Sequence, residues 1–376
     1  MEIAAELQVP WVHSPFFAGE LEARIADPTL REQARTFADE GFLVLEGFFD
    51  DAQLDRVRQQ VTPLYDDSVA EGPRSRGRVQ DAWRECPAVR ELACDERLLA
   101  LLSALYGRAA FAFQTLDFRY GTQQRGHSDR SHFDSLPGDF MCGVWVALED
   151  IGPDCGPLFY VPGSHRLPSL SNDDLHLGYR NPTRAASGGL EDARRLAAEG
   201  FLERLLASAG LTRRELTARK GTALVWAAGL VHGGSPVRRP GSTRWSQVTH
   251  YYFRDCLYVT PMYGNATLGD VYLRDVVDVA TGEPVPHRYY DLDVRGFAGN
   301  GLYKLMLDVE PGDGVERDVL RAIPPRELKA IEDERDLLRV NVRDYKQIVD
   351  GLSRSASYRL GRALTAPLRA FGRAGG

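Results

Sequence analysis

Two histidine–carboxylate triplets stand close together near the middle of the chain. The sequence HSD occupies residues 127–129, and HFD occupies residues 132–134. In an extended backbone, residues i and i+2 point to the same side, so either triplet can direct an imidazole and a carboxylate at one metal ion. The residues alone leave the choice between the two triplets open.

His232 is the natural third ligand, because it follows an apolar stretch and precedes a Gly-Gly turn. Two histidines and one carboxylate, with coordination positions left open, suit a non-haem Fe(II) oxygenase. Arg244 follows twelve residues later in a β-rich stretch. A guanidinium forks onto a carboxylate with paired hydrogen bonds, which suits the distal carboxylate of 2-oxoglutarate. The alternative for Arg244 is a surface salt bridge.

The elements that must position these residues are mainly β-strands. From about residue 110 to 260, short apolar segments alternate with Gly and Pro turns, which predicts an antiparallel jelly roll. A helical pattern at about 189–210 interrupts them. We expect it to form either a lid over one mouth of the barrel or a simple packing helix.

The region upstream, residues 30–110, predicts a mixture of helices and short strands. The apolar run 42–49 predicts a strand, and Asp50 or Asp51 is expected to cap the helix that follows. A second helix is predicted near Glu96–Tyr106, closed by Gly107.

Composition limits the class of protein. The chain has 376 residues, 43% of them hydrophobic, which is enough for a large core. Its formal net charge of −7 gives no support for nucleic-acid binding. Five cysteines without a C-x-x-C pair predict reduced thiols and a cytoplasmic location. No signal peptide or bilayer-spanning run is recognisable.

The C-terminal part has a different pattern. Apolar residues at spacings of three and four over 328–352 predict a coiled coil that self-associates, and the alternative is a long helix packed on the body. Residues 353–376 carry five arginines and no acid, which favours either peripheral contact with a membrane or a disordered tail. We therefore expect one domain over 1–323, a helix over 324–352 and a basic tail.

Longer motifs resemble the phytanoyl-CoA dioxygenase (PhyH) family. They are QQRGHSD, MCGVWVALEDIGPDCGPLFYVPGSHRLP and KGTALVWAAGLVHGGSPVRRPGSTRWSQVTHYYF, preceded by FADEGFLVLEGFFDDAQLDRVRQQV. The resemblance covers about residues 30–260. It implies a double-stranded β-helix with flanking helices, together with Fe(II), 2-oxoglutarate and O2. It also implies that His127 and Asp129, with His232, are the ligands, and that His132 lies outside the metal's first shell or on the substrate side.

The chain departs from that family at two positions. Many members carry Ser or Thr two residues after the distal histidine, but here that position is Gly234 and the hydroxyl comes at Ser235. Cys155 stands where Asn or Gly is usual. Trp145 is expected either to wall the 2-oxoglutarate or substrate pocket or to be a core residue. Four other side chains are expected to have structural roles: His165, Trp226, Trp245 and His250.

The predicted function is hydroxylation of an aliphatic C–H group of a small molecule, with release of succinate and CO2. A carboxylate at Asp129 favours this over halogenation, which needs that position vacant for halide, and desaturation, epoxidation and ring closure stay open as alternative outcomes. Two alternatives are a binding protein that has lost the chemistry and a zinc hydrolase. The C-terminal segments resemble tails of some bacterial surface-polysaccharide glycosyltransferases, which suggests a lipid-linked or glycan-linked substrate at the inner membrane face.

Overall fold

The computed structural model describes residues 8–66, 68, 74–75, 77–169, 189–265, 269–311 and 316–354. The chain divides into two compact units, with the boundary between residues 322 and 323. The helices are α1 Phe17–Arg24, α2 Pro28–Glu40, α3 Asp51–Val61, α4 Pro87–Ala93, α5 Glu96–Tyr106, α6 Gly189–Ser208 and α7 Pro325–Arg354.

All the described strands begin in the first unit. They are β1 Phe42–Leu45, β2 Arg74–Ser75, β3 Arg78–Gln80, β4 Ala110–Phe118, β5 Asp134–Leu136, β6 Met141–Ala147, β7 Leu158–Tyr160, β8 Arg214–Glu215, β9 Ala223–Ala227, β10 His232–Gly234, β11 Ser246–Phe253, β12 Leu257–Val259, β13 Asp270–Leu273, β14 Arg288–Tyr289, β15 Leu292–Arg295, β16 Gly301–Pro311 and β17 Glu316–Ile323.

The main sheet has the strand order β1-β9-β6-β11-β4-β3-β2. Its central strands β6, β9 and β11 are buried along their whole length. Side chains alternate along a strand, so Val144 and Val146 pack into the core that contains the helices, whereas Trp145 and Ala147 point into a second apolar cluster. Because both faces are covered, these strands are continuous apolar runs in the sequence.

A smaller sheet, in the order β10-β7-β8, closes the other side of that second cluster. Leu158 and Tyr160 from β7 pack there with Trp145, Leu224 and Val248 from the main sheet. We call this cluster the barrel interior. The structure is a mixed α/β fold with a barrel-like core. It confirms the predicted combination of a β core with flanking helices.

The predicted helices of the N-terminal region are confirmed. The Asp50 carboxylate accepts a hydrogen bond of 2.9 Å from the backbone N–H of Gln53 and so caps α3. Gly107, with φ of +77°, ends α5 where a left-handed residue is required. The predicted strand 42–49 is wrong at its end, because β1 stops at Leu45, two residues before Gly47 turns the chain with φ of +59°.

Two regions contribute more strands than the sequence indicated. The main sheet extends upstream of residues 110–260, since β1, β2 and β3 belong to it. Residues 257–323 supply most of a third sheet, in the order β14-β15-β17-β16-β13-β12-β5. Pairing of β5 with β12 joins this sheet to the segment that follows the first histidine–carboxylate triplet.

The helix predicted at 324–352 is present as α7. Three apolar residues of its predicted seam, Leu338, Val342 and Tyr345, are 56%, 65% and 70% exposed. Self-association through residues 328–352 stays a prediction. Residues 355–376 lie outside the described residues, so membrane contact by the basic tail also stays a prediction. Among the described residues, no helix has the length and apolar character needed to span a bilayer.

Candidate metal centre

His127 and His232 lie side by side although they are far apart in the sequence. The backbone N–H of each donates to the carbonyl of the other, and both distances are 3.0 Å. This isolated antiparallel bridge leaves the centroids of the two imidazole rings 4.5 Å apart. The start of β10 therefore fixes the loop that carries the first triplet.

Asp129 joins them from a short 3-10 turn, Asp129–Ser131. The preceding Ser128 has an extended backbone, so the same-side argument for residues i and i+2 holds locally. The turn is anchored because the Ser128 hydroxyl and the Arg130 N–H both donate to the carbonyl of Ala228, at 2.8 and 3.0 Å. Asp129 Oδ1 lies 3.8 Å from Nε2 of His127 and 3.8 Å from Nε2 of His232.

Hydrogen bonds to backbone carbonyls fix which ring nitrogen of each histidine is free. Nδ1 of His127 lies 3.0 Å from the Arg125 carbonyl, and Nδ1 of His232 lies 3.0 Å from the Leu230 carbonyl. Because a carbonyl only accepts, both Nδ1 atoms carry the proton and both Nε2 atoms present a lone pair. The two Nε2 atoms and one Asp129 oxygen all lie within 4.8 Å of one another, which suits one divalent cation.

The local electrostatics give these ligands the protonation states that a metal needs. Burial lowers the pKa of His232 to about 4, so its imidazole is neutral near pH 7. Burial alone would raise the pKa of Asp129, but His232, His250 and His127 together hold it below its ordinary value. The site therefore presents an ionised carboxylate beside a neutral buried imidazole, and the third side chain, His127, is 19% exposed.

The second triplet, residues 132–134, is not part of this cluster. Asp134 lies on β5 and accepts hydrogen bonds from the backbone N–H groups of Ser135 and Asp139, at 2.8 and 2.9 Å. His132 follows the 3-10 turn and is half-buried. The structure brings together His127, Asp129 and His232, the three ligands that the family resemblance implied. The histidine and the aspartate of the second triplet lie outside this cluster.

Four residues that are paired across neighbouring strands of the main sheet include two whose side chains contact Asp129. Trp226 on β9 pairs with Gly143 on β6, which pairs with His250 on β11, which pairs with Gln114 on β4. We call this set the cross-strand row. The Trp226 indole N–H donates to Asp129 Oδ2 at 2.8 Å, and Nε2 of His250 lies 3.6 Å from the same oxygen.

The sequence missed the roles of Trp226 and His250 in this row. Both are buried, as expected, but they also hold the Asp129 oxygen that faces away from the two ligand histidines. Gly143 makes this possible, because a Cβ there would lie only 2.3 Å from Trp226 Cε2. A glycine within an otherwise apolar strand was the one available signal of a close approach.

We expect Trp226→Phe to weaken Fe(II) binding about 10–100-fold, since outer partners of metal ligands contribute that much. The phenyl ring keeps the packing but leaves Asp129 Oδ2 without its donor. Trp83→Phe is the matched control, because Trp83 is equally buried and donates to Asp81 outside the site, at 3.2 Å. Anaerobic titration calorimetry compares the two variants, and equal losses of affinity would contradict the assignment.

Arg244 precedes β11 and is only 3% exposed. It forms no ion pair with any described carboxylate, and its Nε has no hydrogen-bond partner. Burial lowers the pKa of this guanidinium to about 10. The surface salt bridge considered for Arg244 is therefore wrong, and a buried cation without a partner indicates a place for an anionic ligand.

Ser235 and Trp145 are two further buried groups with unsatisfied polar atoms. Among the residues that the structure describes, neither the Ser235 hydroxyl nor the Trp145 indole nitrogen has a hydrogen-bond partner, and the two residues are 1% and 0% exposed. The Arg244 guanidinium lies 5.9 Å from the ring of Phe118, which belongs to the barrel interior together with Trp145. These unsatisfied donors fit a carboxylate-bearing ligand such as 2-oxoglutarate.

The two departures from the family motif have structural explanations. A Cβ at Gly234 would lie 2.7 Å from Thr122 Oγ1 and 2.8 Å from the backbone nitrogen of Gln123, so a side chain does not fit there. Cys155 is buried and its thiol donates to the Gly152 carbonyl at 3.1 Å, which is a packing role.

Other predicted structural residues are found in the core. His165 is buried and its Nε2 lies 3.0 Å from the Ala38 carbonyl. Trp245 packs in the core that contains the helices. All five cysteines are free thiols, as the sequence predicted.

The helical pattern at 189–210 forms α6, Gly189–Ser208. Glu199 from this helix lies 3.8 Å from Arg125, two residues before the ligand His127. This ion pair connects the helix to the loop that carries the metal site. The contact is compatible with both alternatives, so the lid and the simple packing helix both stay predictions.

Comparison with known families and proteins is consistent with this site. The model of the family described as phytanoyl-CoA dioxygenase (PhyH) matches residues 37–244. The ectoine dioxygenase of Nocardia farcinica is 25% identical over 232 residues, which are 56% of this chain and 75% of the relative. The ectoine dioxygenase of Sphingopyxis alaskensis is 24% identical over 227 residues, which are 55% of this chain and 71% of the relative.

Two solved structures align with part of the chain at low identity. EctD from S. alaskensis, solved with 2-oxoglutarate and 5-hydroxyectoine, superposes with a TM-score of 0.47 at 21% identity, covering 70% of this chain and 89% of that one. The non-heme alpha ketoglutarate dependent epimerase SnoN from nogalamycin biosynthesis has a TM-score of 0.47 at 22% identity, covering 65% of this chain and 91% of that one.

Proposed function

Because the chain belongs to the phytanoyl-CoA dioxygenase (PhyH) family, we propose that it is an Fe(II)- and 2-oxoglutarate-dependent dioxygenase that hydroxylates an aliphatic C–H group. The observation that carries the proposal is the convergence of His127, Asp129 and His232 within 4.8 Å. Two imidazoles and a carboxylate on one face of a metal leave positions open for other ligands. We assign all three residues as iron ligands.

The residues around these ligands fit the co-substrate as well as the metal. Arg244 would hold the distal carboxylate of 2-oxoglutarate through paired hydrogen bonds. Ser235 and Trp145 would contribute their unsatisfied donors to the same pocket. With O2, the bound iron and co-substrate supply an oxidant for an unactivated C–H bond, and succinate and CO2 are released.

The protein's own contribution is orientation and exclusion of water. Trp226 and His250 hold one oxygen of Asp129, so that only the other oxygen faces the two histidines. The apolar side chains of the barrel interior would keep water away from a co-substrate bound by Arg244. The carboxylate of Asp129 occupies the position that a halogenase leaves vacant, which supports hydroxylation.

The substrate is proposed to be a small molecule, either free or linked to a lipid or glycan carrier. The family name does not assign an acyl-CoA to this chain. The helix α7 and the basic residues beyond it favour a carrier-linked substrate at a membrane surface, since neither is needed to build the site.

Two experiments on the full chain separate the proposal from its alternatives. Anaerobic calorimetry should detect 2-oxoglutarate binding that requires Fe(II), and admission of O2 should then yield succinate, measured by NMR. Binding without succinate would favour a protein that has lost the chemistry. Absence of both, with hydrolysis of esters or amides by the zinc-loaded chain, would favour a hydrolase and overturn the proposal.

A further inference from the structure

The third sheet places a cationic side chain beside the candidate metal centre. Arg274 directly follows β13, and its backbone N–H donates to the Tyr258 carbonyl at 2.9 Å. The short 3-10 turn Pro261–Tyr263, which connects towards β13, contacts the turn Asp129–Ser131. The C-terminal sheet therefore brings Arg274 to the flank of the segment that carries the metal ligand Asp129.

The Arg274 guanidinium is held in one orientation but has one free edge. Nη1 donates to the Thr260 hydroxyl at 2.9 Å, and Cζ lies 4.7 Å from the centroid of the Phe133 ring. The buried Nε has no hydrogen-bond partner within the described part of the chain. Nε and Nη2 point to the same side of a guanidinium, and together they form the side-on edge that accepts both oxygens of a carboxylate or phosphate.

No described acidic side chain forms an ion pair with Arg274. Neighbouring arginines of the same region are paired, since Arg254 binds Asp278 and Arg288 lies 3.7 Å from Asp255. A half-buried guanidinium without an acidic partner offers its hydrogen-bond donors to an anionic ligand. Arg274 therefore differs from Arg254 and Arg288, whose charges have acidic partners.

Contacts between rings connect Arg274 to the metal ligands. The Phe133 ring, over which the guanidinium lies, is 5.0 Å from the His250 ring, and His250 is 3.6 Å from Asp129. Phe133 therefore links the Arg274 guanidinium, through His250, to the metal ligand Asp129.

We propose that Arg274 is the substrate-binding residue for an anionic group, so that the substrate is a carboxylate or a phosphate ester whose reacting C–H lies over the metal. This inference rests on the proposed function and names its substrate class. Arg244 would then bind the co-substrate anion in the barrel interior. Arg274 would bind the substrate anion at the edge of the third sheet. Carboxylate and phosphate share the side-on recognition, and experiment distinguishes them.

The test uses the full chain loaded anaerobically with Fe(II) and saturating 2-oxoglutarate, which occupies Arg244. Butyrate and butyl phosphate are the anionic probes, and butyramide and butanol are their neutral counterparts. Calorimetry should detect at least one anion with a Kd below about 10 mM. That anion should bind at least tenfold more tightly than its neutral counterpart, and the tighter anion identifies the substrate class.

Three variants locate the binding. Arg274→Gln should weaken binding of the anion at least tenfold, and Arg274→Lys should weaken it less, since the charge remains but the fork is lost. Arg288→Gln is the matched control, because Arg288 is an arginine of the same sheet with acidic partners, and it should bind like the wild type. Unfolding curves of the variants verify that each is folded.

The inference is wrong if neutral and anionic probes bind the wild type equally, if neither anion binds, or if Arg274→Gln binds the anion as the wild type does. Its failure is separable from failure of the proposed function. Formation of succinate by the wild type tests the function without any anionic probe, whereas the comparison of Arg274 variants tests only the substrate anion.

Discussion

His127→Ala is expected to abolish Fe(II)-dependent turnover. It should also reduce Fe(II) affinity by more than about 100-fold, the upper end of the loss seen when a hydrogen-bond partner of a metal ligand is removed. The substitution removes one of three ligand atoms, and the remaining pair, Asp129 and His232, cannot hold the metal in a defined geometry. Anaerobic calorimetry with Fe(II) gives the affinity, and succinate formation gives the turnover.

His132→Ala is the matched control for this prediction. It removes a histidine five residues away that lies in the same loop but outside the ligand cluster. We expect its Fe(II) affinity to stay within about threefold of the wild type, below the range typical of outer partners. If His132→Ala lost the metal and His127→Ala kept it, the second triplet would be the ligand pair and the assignment would be reversed.

The second large effect is expected at Arg244. Arg244→Gln should weaken binding of 2-oxoglutarate to the Fe(II)-loaded chain by about 3 kcal/mol, which is about 150-fold in Kd. The reason is that a buried carboxylate loses its only charged partner. Fe(II) affinity should not change, because Arg244 contacts none of the three proposed ligands.

Stability gives an independent measurement on the same variant. In the ligand-free chain the guanidinium is buried without an ion pair, so its removal should leave the unfolding midpoint unchanged or raise it. Arg238→Gln is the control, since Arg238 is a nearby exposed arginine paired with Glu215 at 3.2 Å. A fall in stability with unchanged 2-oxoglutarate affinity would make Arg244 a structural residue.

The sequence predicted the parts of the site that depend on residue type. Histidine, aspartate and arginine are recognisable by their chemistry, and the family resemblance decided between two triplets that geometry alone left equal. The caps of α3 and the end of α5 were predictable because Asp50 and Gly107 act on their own neighbours in the chain.

The rest depends on pairing between distant strands. Nothing near Trp226 in the sequence indicates that its indole meets Asp129, because the two residues meet only when β9 takes its place in the main sheet. The third sheet was missed for a similar reason, since β13 and β16 are half-exposed strands whose short apolar patterns are ambiguous alone. Arg274 could not be identified as a site residue before that sheet was known.

Gly143 has a consequence for how relatives of this chain diverge. The indole of Trp226 occupies the volume that a methyl group at position 143 would take. We expect the residues at positions 143 and 226 to covary among relatives. Alanine or a larger residue at 143 should occur only together with a smaller ring or an aliphatic side chain at 226. A relative with this paired exchange would lack the indole N–H that donates to Asp129. Replacement of Gly143 in a relative would therefore indicate that its iron site differs from this one.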